Sequence, residues 1–153
     1  MEVEFIVPGY AMGKQRPRFV RRGKYVSTYT PQKTHSYQEK VQQSYLEVTG
    51  GRMLDGAIKA EICAIYETPK SYSKKKAQKA KEDGYMKKPD ADNIAKSILD
   101  GLNEVAFSDD AHVDDLHVWK MYGDEEKCMV RLSDNKHAVS PLIFFNDQGG
   151  IIE

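Results

Sequence analysis

From Asp92 to Ala106 the apolar residues Ile94, Ala95, Ile98, Leu99, Leu102, Val105 and Ala106 recur every three or four positions. At 100° per residue they form one arc of an amphipathic helix, and Asp92, Asn93, Lys96, Asp100, Asn103 and Glu104 form the other. Such a helix must lay its apolar arc on a core, which leaves its acids along the rim. Asp92, Lys96 and Asp100 follow one another at four-residue spacing, so one lysine stands between two acids on a single stripe. Asp90 precedes the helix, and Asp109-Asp110 follow it through Phe107 and Ser108. The strand expected after that pair would bring it back beside Asp90 and Asp92.

Carboxylates held side by side repel one another, and a fold that gathers three or four of them normally supplies a cation. The pattern therefore points to a divalent-metal site for phosphoryl transfer. A plainer reading makes Asp90 a helix N-cap and the stripe an ion-paired surface worth about 0.2–0.5 kcal/mol per pair. It leaves Asp109-Asp110 without a reason. A nucleotide-handling enzyme could also use a DxD pair, but the chain has neither a glycine-rich phosphate loop nor a strand-helix repeat.

Charge is segregated although the 23 basic and 23 acidic residues cancel. Lys14, Arg16, Arg18, Arg21, Arg22 and Lys24 form a run without an acid, interleaved with Phe19 and Tyr25. Eight lysines between Lys70 and Lys88, among them Lys74, Lys75, Lys76 and Lys87, stand against Glu82 and Asp83. From Pro89 to Glu126 the balance inverts, with eleven acids against Lys96 and Lys120. Basic arms around an acidic centre suit a protein that follows a phosphate backbone while its acids hold a cation.

At 153 residues the chain has the size of one domain with a real core. No apolar run approaches the roughly 20 residues of a membrane span. Acids at Glu2 and Glu4 take the place of the basic start of a secretory signal, so a cytoplasmic protein is expected. Cys63 and Cys128 lie far apart in alternating apolar patterns and are expected as buried free thiols.

Alternation predicts strands over 3–7 and 57–66, and the basic run after Pro8-Gly9 reads as a loop or loose hairpin. Thr30-Pro31 opens a helix to about Val48, with Tyr37, Val41, Tyr45 and Val48 on its apolar face, stopped by Gly50-Gly51. Residues 71–81 suggest a short exposed helix ended by Gly84, and a further helix runs from about Asp90 to Val105. Residues 116–122 and 127–132 are expected to be the two arms of a hairpin. The fold class is α+β: a small mixed sheet with two principal helices packed against it. Residues 134–153, with an apolar knot from Pro141 to Phe145, form a tail of unknown role.

The run from Pro89 to Asn103, with Asp90-Ala91-Asp92-Asn93 and Lys96, and the run from Val105 to Val113, with Phe107-Ser108-Asp109-Asp110, closely resemble the RusA family of Holliday-junction resolvases. Lys14 to Phe19 and Tyr29-Thr30-Pro31 are similar to the N-terminal signature of its prophage branch. The resemblance covers about residues 3–132, so residues 1–133 are expected as one nuclease domain. It implies a homodimer that cuts four-way DNA junctions symmetrically in recombination and repair, in a bacterial or phage-infected cell. It also implies Mg²⁺, or Mn²⁺ in its place, on Asp90, Asp92 and Asp110, with Lys96 as the essential lysine. The basic residues Lys14, Arg16, Arg18, Arg21, Arg22, Lys74, Lys75, Lys76, Lys87 and Lys88 are then the expected DNA contacts. Asp109 matches a family acid of less clear role, and His112 replaces a frequent glutamine. The alternative is a branched-DNA binding protein that does not cut.

Overall fold

A computed structural model describes residues 1–135. The predicted tail, with its apolar knot, lies almost entirely outside the described residues. Strand β1 (Glu2–Pro8) leads into a hairpin of β2 (Arg18–Arg22) and β3 (Tyr25–Tyr29), then helix α1 (Gln32–Thr49) and strand β4 (Ile58–Glu67). Helices α2 (Lys74–Asp83) and α3 (Ala91–Leu102) follow, and a short 3-10 turn (Asp110–His112) precedes β5 (Val113–Gly123) and β6 (Lys127–Ser133). The architecture is the expected α+β, with a four-stranded mixed sheet ordered β1-β6-β4-β5 and a separate two-stranded ribbon. Among the described residues no helix is long and apolar enough to cross a membrane.

Helices α1 and α3 cover one face of the sheet. Strand β4 turns Ile58, Ala60, Ile62, Ala64 and Tyr66 toward them, and all five are buried. Ile94, Ile98 and Leu102 of α3 meet this face fully buried, each stabilising the fold by about 1.5–3 kcal/mol. The helices approach closely at Gly101, where an added Cβ would lie 3.1 Å from the Gln38 carbonyl oxygen and 3.2 Å from Val41 Cβ. Tyr37, Val41 and Tyr45 of α1 are buried as expected, but Val48 is 59% exposed. Cys128 is buried and Cys63 half-buried, and both are free thiols. The opposite face carries Ile6, Trp119, Met121 and Met129, all partly open to solvent.

Two expectations are corrected. Strands β5 and β6 are not a hairpin: β4 lies between them, parallel to β5 and antiparallel to β6. Both edges of β4 need backbone partners, and its ten residues carry only Lys59, Glu61 and Glu67 as charges. Every second residue of β4 is buried and none of β5 is, so β5 takes the edge, where Asp114, Asp115 and Lys120 discourage further pairing. Helix α3 also stops at Leu102, three residues early. Asn103 leaves the helical conformation and Glu104 adopts a left-handed one (φ 62°). The Glu104 amide donates to the Phe107 carbonyl at 2.8 Å, closing a turn that buries Ala106 and Phe107.

Candidate active site

Asp90 occupies the N-cap position of α3, yet its side chain caps no helix amide. Its two oxygens instead accept from Lys88 Nζ, each at 2.7 Å. The hydrogen bond from Lys88, with the charges of Lys88 and Lys120, holds this carboxyl below the usual carboxylate range. The backbone under it is fastened from two sides. Lys120 Nζ, on β5, donates to the carbonyls of Lys87 (2.9 Å) and Pro89 (3.1 Å), and the Tyr85 hydroxyl donates to the Lys88 carbonyl at 3.0 Å. Tyr85 stacks on Tyr66, with ring centroids 4.3 Å apart, so the fastening reaches the core. Burial is the main reason that the Tyr85 hydroxyl is pushed up to about 12.

Asp92 and Lys96 lie on the exposed side of α3, and among the described residues neither side chain has a hydrogen-bond or ion-pair partner. The lysine is therefore not clamped between two acids as the four-residue spacing suggested. Asp100 is paired with Lys14, which arrives from the loop after β1. The Lys14 amide donates to the Asn93 carbonyl at 3.0 Å, and Gly13 lies so close to Pro89 that an added Cβ would stand 2.8 Å from the proline Cβ. These contacts fix the root of the basic loop against the first turns of α3.

The second acid pair sits at the other end of the helix. Asp109 caps the 3-10 turn by accepting from the Ala111 amide at 2.8 Å, which, with a hydrogen bond from Asp110, lowers its carboxyl below the usual range. Asn103 Oδ1 accepts from the Asp110 amide at 2.9 Å. Desolvation, then the hydrogen bond and charge of Asp109, then Asp100, push the Asp110 carboxyl up. His112 is exposed in the same turn, and its charge also helps to lower Asp109.

Asp110 thus comes near Asp100, whereas Asp90 lies ten residues before Asp100, about 15 Å at 1.5 Å per residue. Among the described residues no three His, Cys, Asp or Glu side chains come together as a group that could hold a metal ion. Among the described residues Asp90, Asp92 and Asp110 are not gathered into one such group.

The expected DNA contacts fall into three groups. Arg16, Arg18, Arg21 and Arg22 are exposed on the basic loop and its hairpin, while Lys14 at the root is engaged by Asp100. Lys74, Lys75 and Lys76 form the exposed first turn of α2, which the Ser73 hydroxyl caps; Lys76 Nζ lies 4.2 Å from the centre of the Tyr72 ring. Lys87 and Lys88 stand on the loop before Asp90, Lys88 in its ion pair. Sequence reasoning missed Lys120 and Asn103, and the role of Tyr85 in fastening the loop before Asp90. Only the isolation of Lys120 within the acid-rich stretch could have drawn attention to any of them.

Two comparisons bear on this arrangement. Over 137 residues the chain is 31% identical to the uncharacterized protein YqaN of Bacillus subtilis (strain 168), covering 86% of this chain and 96% of that protein. The family model described as endodeoxyribonuclease RusA matches residues 8–133, a stretch that runs from the end of β1 through β6 and includes both acid pairs. This chain belongs to the RusA endodeoxyribonuclease family.

Proposed function

We propose that the protein resolves four-way (Holliday) DNA junctions in the cytoplasm, as a homodimer whose two-fold axis relates two symmetric incisions. Family membership gives the endodeoxyribonuclease activity. The observation that carries the rest is that the loop bearing the basic hairpin is fastened, through Gly13 and Lys14, to the helix that carries the acids. A DNA arm contacted by Arg16, Arg18, Arg21 and Arg22 would then pass the exposed side of α3. Lys74, Lys75, Lys76, Lys87 and Lys88 would contact a second arm. Lys96, whose ammonium is unpaired among the described residues, would offset charge on a phosphate.

Asp90, Asp92 and Asp110 are the proposed catalytic acids. The reading includes dependence on Mg²⁺, with Mn²⁺ able to substitute. Support for it comes from the family and the donor chemistry, since oxygen ligands suit these ions, not from the distances within one chain. That separation of the acids is also the one observation that favours a branched-DNA binding protein without cutting.

The test is incision of a mobile synthetic four-way junction with Mg²⁺ and with EDTA, comparing the natural protein with Asp92→Asn. Paired nicks that need the metal and vanish in the variant support the reading. Binding in the variant should be equal or tighter, because a charge repelling the backbone is gone. Tight binding without cutting in any divalent metal would establish the alternative.

A further inference from the structure

The ribbon formed by β2 and β3 spends large side chains on a surface that buries none of them. Phe19 is 76% exposed, Tyr25 81%, Val26 64% and Tyr29 47%. An isolated two-stranded ribbon is marginal in water, so this one gains its order from whatever lies against it. Its register pairs Arg18 with Tyr29, Val20 with Ser27 and Arg22 with Tyr25; Phe19 faces Thr28, and Arg21 faces Val26. Directly paired residues share a face. Arg18, Arg22, Tyr25 and Tyr29 therefore stand together on one side, two arginines each beside a tyrosine.

Charge selects the partner. No acid occurs from Phe5 to Gln38. Arg21 Nε is spent on the Gly23 carbonyl at 3.3 Å, on the other face. Among the described residues the Arg18 and Arg22 side chains have no hydrogen-bond or ion-pair partner. Dimensions narrow the choice further. Five-residue strands are about 17 Å long and lie about 4.8 Å apart. With side chains, such a ribbon suits a major groove about 12 Å wide and is too broad for a minor groove of about 6 Å. Contact with phosphates alone would leave the exposed rings of Tyr25 and Tyr29 without a reason.

We propose that this hairpin enters the major groove of one duplex arm of the junction, with Arg18 and Arg22 directed at guanine N7 and O6 and the two tyrosines packed on base edges. The inference rests on the functional reading above and deepens it. Because Gly13 and Lys14 hold the root of the hairpin on α3, a groove contact at its tip fixes how far from it the scissile phosphate lies. Cutting would therefore follow guanines at a set distance in the arm.

Dimethyl sulfate footprinting, which reads guanine N7 in the major groove, tests this on a four-way junction held uncut by the Asp92→Asn protein. Protected N7 atoms in one arm are expected, lost when Arg18→Ala and Arg22→Ala are added, with affinity down about 10- to 100-fold and an unchanged circular dichroism spectrum. Tyr25→Ala/Tyr29→Ala should weaken the same protection. N7 atoms left open under a bound protein, or protection indifferent to the arginines, would overturn this inference and leave the resolvase reading standing. A protein that binds no junction would instead overturn the functional reading, and the inference with it.

Discussion

The two ends of α3 carry the same residue type and treat it in opposite ways. At the N-terminal end Asp90 is met by Lys88 and lies near Lys120, so its carboxyl holds its charge below the usual range. At the C-terminal end Asp110 is partly desolvated beside Asp109 and Asp100, and its carboxyl is raised. Asp109 shows that the neighbours decide the direction, because a backbone amide and a hydrogen bond from Asp110 lower it one residue away. One acid end is thus already compensated by the protein's own cations, and the other holds repulsion that a partner could relieve.

The most severe way to break this contrast is to loosen the helix between the two ends. Ile98→Ala, at a fully buried position, should cost about 2–5 kcal/mol, read as a lower denaturant midpoint. Next in size, Lys120→Met removes both bonds that fasten the Asp90 loop to β5 and should cost about 1 kcal/mol. Hydrogen exchange should quicken at residues 87–90 and stay unchanged around Asp110; equal quickening at both ends would dissolve the contrast.

Two substitutions sharpen it through pH, followed by carboxyl NMR titration in EDTA. Asp109→Asn should bring the Asp110 pKa down toward the ordinary 3.8. A raised folded-state value means that Asp110 contributes stability below the unfolded pKa and loses it as pH rises through the folded one. The variant should therefore lose less stability than the natural protein as pH rises through that window. The smallest effect is expected from Lys88→Ala, which should raise the Asp90 pKa toward 3.8. A depressed value contributes stability above the unfolded pKa, lost as pH falls through the folded one. The variant should show a weaker dependence below pH 4, and Asp110 should not respond.

The sequence was most legible where one element decides its own form. The alternation of β4 and the stripe of α3 mark their buried faces without help from the rest of the chain. The pairing of β5 and β6 was not legible, because a three-residue connection suits a hairpin and nothing local shows that β4 lies between them. Val105 and Ala106 fit the helical period, yet the turn at Glu104 and the use of Asn103 to hold the Asp110 amide end α3 first. In the site, the acids were visible as residue types while their partners were not. Lys14 meets Asp100 across 86 positions, and Lys120 meets Pro89 across 31. Local spacing favoured Lys96 for the first of these roles, and tertiary approach gave it to Lys14.

The pairing of β1 with β6 also sets a timetable for the newborn chain. Residues 2–8 meet partners at 127–133, made about 120 residues later, on the order of ten seconds at ribosomal speeds. Until then Val3, Phe5 and Val7 have no strand to lie against. Helix α1 can form as it emerges, but the sheet must wait for almost the whole described chain. Slow codons late in the message would lengthen that exposure, and a holding chaperone bound to the first strand would be most useful during it.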